Sequence, residues 1–205
     1  MAIINQATKE LQVKIVYYGP AKSGKTTNLE SIFGNVQTAN PESKTKIVSL
    51  ATSSDRTLFF DFLPIEAMAI KGFKTKFQLY TVPGQVIYNT TRQLVLRGVD
   101  GIVFVADSQY EKMAENVESF QNLCDNLKSL KLDIEDIPYV LQYNKRDLPN
   151  AAPVEYLEFL MNNRDVQVPA FQSTAHRCEG VFEALNTITR MLLDKFINQN
   201  AAQYA

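Results

Sequence analysis

The chain is poor in chemically reactive side chains: two cysteines, a single histidine (His176) and no tryptophan. Cys124 and Cys178 stand far apart, with no C-x-x-C and no Cys/His spacing. Reduced thiols are therefore expected, not a disulfide framework or a zinc site. An excess of one charge is missing as well. The 21 basic and 22 acidic side chains leave a formal net charge of -1, which excludes a protein that holds nucleic acid by bulk electrostatics. No apolar run reaches the roughly 18 residues of a membrane span. Met1-Ala2-Ile3-Ile4-Asn5 shows no basic stretch leading into an apolar one, so no signal peptide is expected. Gln199 to Ala205 holds no cysteine for prenylation, so no direct membrane anchor is expected and any attachment would come through partners.

What is present is enough apolar material for one substantial core: 45% of 205 residues. The expectation is one domain over 1–205, with a short flexible tail from about 198 to 205. Strand-like and helix-like patterns alternate. Leu11–Tyr17, Lys46–Ala51, Phe73–Tyr80, Gly101–Ala106, Pro138–Tyr143 and Val168–Gln172 read as strands. Phe73–Tyr80 alternates strictly, as a strand with one wetter face does, and Gly101–Ala106 is almost wholly apolar, the mark of a strand buried on both faces. Thr26–Phe33, Ala114–Leu130, Val154–Asn162 and Val181–Ile197 read as helices. Val117, Phe120, Leu123 and Leu127 recur at spacings of three and four along one of them. This alternation implies an α/β sandwich with a mainly parallel sheet, and in such folds ligands sit at the carboxyl ends of strands.

Two motifs fall at such ends. Gly19-Pro20-Ala21-Lys22-Ser23-Gly24-Lys25-Thr26 matches G-x-x-x-x-G-K-[ST], follows a strand and opens a helix, the context of a phosphate-binding loop. Its glycines let successive N–H groups point at phosphate oxygens, and the helix end adds partial positive charge. Lys25 supplies a full charge to the β- and γ-phosphates, and the Thr26 hydroxyl can ligate Mg²⁺. Asn144-Lys145-Arg146-Asp147 reads N-K-x-D. The Asp147 carboxylate can accept from the guanine N1–H and 2-amino group; adenine has neither donor and leaves a buried charge unpaired. The Lys145 stem can cover the base, and Asn144 can tie this loop to the phosphate loop. Ser173-Thr174-Ala175 follows the next strand, with the Ala175 N–H as candidate partner of guanine O6. His176 beside it reads as a surface imidazole.

Further segments resemble the MglA group of bacterial Ras-like GTPases. They are Tyr17–Pro20, Thr26–Leu29, Asp55–Pro64, Gly72–Thr75, Tyr80–Gln85, Val99–Gly101, Phe104–Ser108 and Gln142–Asn150. The resemblance spans roughly Ile4 to Leu193, and Thr81–Gln85 and Asp55–Pro64 are its specific parts. It implies a three-layer P-loop NTPase (Ras-like) fold and a slow GTPase that switches between GTP and GDP with Mg²⁺. It places Thr27 in the nucleotide site and gives Thr57 as the first-switch threonine that reaches Mg²⁺. Arg56 is implied as the arginine supplied from the same chain. Gly84 would offer its N–H to the γ-phosphate, and Gln85 stands where a water-orienting glutamine belongs. An MglB-like roadblock-domain GTPase-activating protein is the implied partner. Polarity and motility effectors (gliding, type IV pili) are implied as well, with recruitment from the cytoplasm to a cell pole.

Two departures qualify that pattern. Ras-like proteins carry D-x-x-G where this chain has Thr81-Val82-Pro83-Gly84, so Mg²⁺ loses its usual outer carboxylate, and either Asp55 or Asp61 can substitute through water. Ala21 stands where glycine is usual, and its methyl group can crowd the approach of Gln85 and Arg56. The apolar run Leu58–Pro64 reads as core by default, with some aromatics available to a partner in one nucleotide state. Two other classes remain: a nucleotide-gated binding scaffold that barely hydrolyses, and a P-loop kinase for a small molecule, which N-K-x-D disfavours.

Overall fold

The computed structural model describes residues 3–5, 8–39, 46–51, 57–70, 73–85, 88–163 and 166–203. Among the described residues eight strands form one sheet: β1 (Ile3–Asn5), β2 (Glu10–Tyr18), β3 (Val48–Ala51), β4 (Thr57–Ile70), β5 (Phe73–Thr81), β6 (Gly101–Asp107), β7 (Tyr139–Asn144) and β8 (Ala170–Gln172). Their order is β3-β4-β5-β2-β6-β7-β8, with β1 on β2. β5, β2, β6, β7 and β8 run parallel to one another, while β1, β3 and β4 pair antiparallel. β1 covers Glu10–Gln12, the part of β2 that β6, pairing from Ile15 onward, does not reach.

The helices are α1 (Lys25–Ala39), α2 (Asn89–Leu96), α3 (Met113–Ser129), α4 (Val154–Met161) and α5 (Val181–Gln203). They sort into two layers because side chains alternate along each strand. Ile15, Tyr17, Val103 and Val105 join Leu29, Ile32, Val181 and Ile188 in one core, against α1 and α5. Val16, Tyr18, Ile102 and Phe104 join Val95, Leu96, Leu123, Leu127 and Leu157 in the other, against α2, α3 and α4. All seven residues of β6 are buried, which is why its sequence is nearly continuous in apolar residues. This is the expected three-layer arrangement.

Several bounds differ from the sequence reading. α1 runs from Lys25 to Ala39, well past Phe33, and α5 passes Ile197 to Gln203, so helical backbone covers most of the expected tail. α2 and β1 had no counterpart in the sequence patterns. The largest difference is β4. The run Leu58–Pro64 lies inside a strand of 14 residues that pairs with β5 from Phe62↔Tyr80 to Ile70↔Phe73. Asp61 and Leu63 are buried, and Phe62 packs on Tyr80 with the rings tilted by 32° and their centroids 4.8 Å apart. Pro64 is tolerated because β3 pairs with β4 only as far as Phe62, leaving Pro64 at the sheet edge where no ladder donor is needed.

Candidate nucleotide-binding site

The carboxyl ends of β2, β5, β6, β7 and β8 come together at one edge of the sheet, as the parallel order requires. The loop after β2 holds Gly19–Gly24 and leads into α1. The first hydrogen bond of α1 runs from Asn28 N–H to Gly24 C=O at 2.9 Å, so the N–H groups before it belong to the open helix end. Gly24 has φ +101°, and a Cβ there would lie 2.2 Å from Asn144 Nδ2, so only glycine admits this close approach. Lys22 adopts φ 61° and Lys145 φ 67°, both left-handed non-glycine residues in loops of this edge.

Lys25 is buried, and its Nζ donates to Gly19 O at 3.1 Å and Pro20 O at 2.6 Å. Burial first, and then the charge of Arg92, push its ammonium down to about 7. The Ser23 hydroxyl is buried, with no hydrogen-bond partner among the described residues. An ammonium so poorly compensated and an orphaned hydroxyl in one glycine-rich loop fit an anion with several oxygens. Thr27 is half-buried in the first turn of α1.

β4 runs antiparallel, so its first residues return to the carboxyl edge beside Thr81. Thr26 Oγ1 donates to Asp61 Oδ2 at 2.6 Å and Thr81 Oγ1 donates to the same oxygen at 3.0 Å, while the Asp61 N–H donates to Thr81 Oγ1 at 2.8 Å. Asp61 is 1% exposed. The structure thus brings Asp61 onto Thr26, with Thr81 as its close partner on β5. Hydroxyl and carboxylate oxygens together suit a hard cation such as Mg²⁺. Asp55 and Arg56 lie outside the described residues, and Thr57, paired with Ala51, is described by its backbone alone.

Gly84 packs directly on the phosphate loop: a Cβ there would meet Ala21 Cα at 2.3 Å, Ala21 N at 2.6 Å and Pro20 O at 2.9 Å. Gln85 and Ala21 line one cavity with Gly84, Arg92, Glu118 and Ser119. The sequence reading had no role for Arg92, which no periodicity separates from a surface arginine.

The base-side loops meet at Asn144. Its Nδ2 donates to Ser23 O at 2.8 Å, and its Oδ1 accepts from Ser173 Oγ at 3.1 Å and from the Ala175 N–H at 2.9 Å. One buried amide therefore joins the phosphate loop, the N-K-x-D loop and the Ser173-Thr174-Ala175 loop. Lys145 Nζ pairs with Asp107 Oδ2 at 2.5 Å, holding the lysine stem along the loop. Asp107, at the end of β6, had not been singled out for this. His176 Nε2 lies 3.9 Å from Asp147 Oδ2 at the same edge, so the imidazole borders the carboxylate expected to read the base. A second brace, Gln142 Nε2 to Asn28 Oδ1 at 2.8 Å, ties α1 to β7.

A phosphate loop, an N-K-x-D loop and a glycine-glutamine loop converging on one edge of such a sheet define a Ras-like site. The family model for the Ras family matches residues 44–194, and the chain belongs to that family of small GTPases. Over 193 residues it is 51% identical to the Mutual gliding-motility protein MglA of Myxococcus xanthus, an alignment covering 94% of this chain and 96% of that protein. It is accordingly a small GTPase of the MglA type. It is also 27% identical over 140 residues to Ras-related protein Rab-13 of Canis lupus familiaris, across 68% of this chain and 66% of that one. To GTP-binding protein ypt1 of Schizosaccharomyces pombe it is 24% identical over 146 residues, with 71% and 69% covered.

Proposed function

We propose that this GTPase is an Mg²⁺-dependent switch that hydrolyses GTP to GDP and phosphate and signals to proteins of cell polarity and motility. The observation that carries the nucleotide reading is Asn144, which ties Ser23, Ser173 and Ala175 into one pocket wall. In this reading Gly19, Ala21, Lys22, Ser23, Gly24, Lys25, Thr26 and Thr27 wrap the phosphates. Asp147 accepts from guanine, Lys145 covers the base, and Ser173, Thr174 and Ala175 close its far side; the Ala175 N–H, the expected partner of O6, is already given to Asn144 Oδ1.

Thr26 and Thr57 supply hydroxyl ligands for Mg²⁺, which when bound offsets negative charge on the β- and γ-phosphates. Of the two carboxylates open to the outer-sphere role, Asp61 is favoured, because it already accepts from Thr26. Gly84 presents its N–H to the γ-phosphate, Gln85 orients the attacking water, and the Arg56 guanidinium spreads over the charge that builds on the leaving and equatorial oxygens. Lys25 holds the triphosphate in line.

The name of the Myxococcus relative supports a part in gliding motility. The resemblance supports a roadblock-domain activating partner of the MglB kind. Among the described residues no helix is long and apolar enough to cross a membrane. The test is nucleotide competition and hydrolysis, followed by partner capture with GDP against a non-hydrolysable GTP analogue. Guanine preference and capture in one state alone are expected. Equal capture in both states, or preference for ATP, would reject the switch, and undetectable hydrolysis with selective capture would leave the scaffold alternative.

A further inference from the structure

Arg92 is the largest fully buried side chain of the described residues, at 0% exposure. A buried guanidinium is ordinarily matched by a carboxylate, yet none of the described ion pairs involves it. Its charge is met by dipoles instead. Nε donates to Pro83 O at 2.8 Å and Nη2 to Gly84 O at 2.6 Å, so two successive main-chain carbonyls of the second-switch loop converge on one fork. Nη1 donates to Asn122 Oδ1 at 2.6 Å, and the guanidinium carbon lies 5.2 Å from the centre of the Tyr18 ring.

The far side of the fork is anchored. Tyr18 OH donates to Asn122 Oδ1 at 2.7 Å, Asn122 Nδ2 donates to Asn89 Oδ1 at 3.1 Å, and Asn126 Nδ2 donates to Asn89 Oδ1 at 2.8 Å. The α2–α3 contact is thus a polar lattice around Arg92, and among the described residues it reaches the second-switch loop at the Pro83 and Gly84 carbonyls.

That contact has a geometric consequence. In a planar trans peptide C=O and N–H point in opposite directions. With the Pro83 and Gly84 carbonyls both turned to Arg92, the N–H groups of Gly84 and Gln85 both turn away from it. Two successive N–H groups on one side form an anion-facing concavity. Gly84 meanwhile packs on Pro20 and Ala21 of the phosphate loop. We propose that Arg92 is a positioning residue for the triphosphate state. It clamps two carbonyls of the second-switch loop so that the Gly84 and Gln85 amides face the γ-phosphate, and it touches neither nucleotide nor water itself. This rests on the reading of Gly84 and Gln85 given above.

The test compares wild type with Arg92→Met, which keeps volume and removes the donors, and with Arg92→Lys, which keeps the charge but not the fork. Each is measured for affinity to GDP, affinity to a non-hydrolysable GTP analogue, single-turnover hydrolysis and Tm. Expected for Arg92→Met is GDP affinity within about threefold of wild type, with analogue affinity and hydrolysis each down at least about tenfold. Arg92→Lys should recover part of both. Hydrolysis and analogue affinity within about twofold of wild type would overturn the inference. Equal losses for GDP and analogue alongside a lowered Tm would overturn it too, since that marks a purely structural arginine. Should Arg92→Met not fold, Arg92→Lys carries the same comparison, and a hydrolysis rate equal to wild type refutes the clamp. Failure of wild type to bind guanine nucleotides would instead sink the reading of the site, and the inference with it.

Discussion

Restoring the missing aspartate at position 81 should weaken this protein, because the carboxylate it would supply is already present on the neighbouring strand. Thr81 Oγ1 lies 3.0 Å from Asp61 Oδ2 and accepts the Asp61 N–H at 2.8 Å. Thr81→Asp would set two carboxylates side by side in a buried position. At an effective dielectric constant near 20 they repel by about 5 kcal/mol if both stay charged. Protonating one of them at pH 7 costs about 4 kcal/mol from its ordinary value, so the smaller cost sets the ceiling. The expected loss is about 2–4 kcal/mol, or roughly 5–15 °C in Tm for a chain of this size. The sign with pH follows. The introduced carboxyl has a folded pKa above its unfolded one, so the penalty grows as pH rises from about 4 towards 7 and shrinks on acidification. The assay is thermal unfolding of nucleotide-stripped protein in chelator, at pH 7 and pH 5.5. The combined change Asp61→Thr and Thr81→Asp moves the single carboxylate across the strand pair. It should regain most of the stability together with Mg²⁺-dependent retention of GDP, which Asp61→Asn alone should lose. A Thr81→Asp protein as stable as wild type at pH 7, or a double variant no better than the single ones, would refute the assignment of Asp61.

Asn144→Ala removes an amide that bonds Ser23, Ser173 and Ala175. It should lower stability by about 2–4 kcal/mol and speed GDP release, read by Tm and by fluorescent-nucleotide chase. Ala21→Gly takes away the methyl group on the backbone against which Gly84 packs. Single-turnover hydrolysis should rise, and an unchanged or slower rate would show that Ala21 does not crowd the site. Asp147→Asn leaves the guanine N1–H and 2-amino group facing an amide in place of a carboxylate. Preference for GDP over ADP should fall by about 10²-fold or more in competition, and retained discrimination would remove Asp147 from base recognition.

The contiguous motifs were readable from the chain because their chemistry is local. Gly19 to Thr26 needs only a curled backbone ahead of a helix, and the wholly apolar Gly101–Ala106 could be little else than a central strand. β4 was not readable in that way. Its first half strings leucine and phenylalanine together with no period of two, and it carries Asp61 and Pro64, which local preference assigns to turns. It becomes a strand by folding back antiparallel on β5, which follows after Lys71-Gly72, so that Phe62 meets Tyr80 at the far end of that strand.

The same holds for charge. Sequence alone was enough to expect a lysine, a threonine and a distant N-K-x-D to serve one nucleotide, since each motif carries its own geometry. Only the tertiary structure decided that Asp61 and Arg92 go inside: Asp61 once β4 lays it against Thr26 and Thr81, and Arg92 once Tyr18 and Asn122 surround it. The physical reason is that burying a charge is governed by its solvating partners. For both residues those partners come from other strands and helices, where no local pattern reaches.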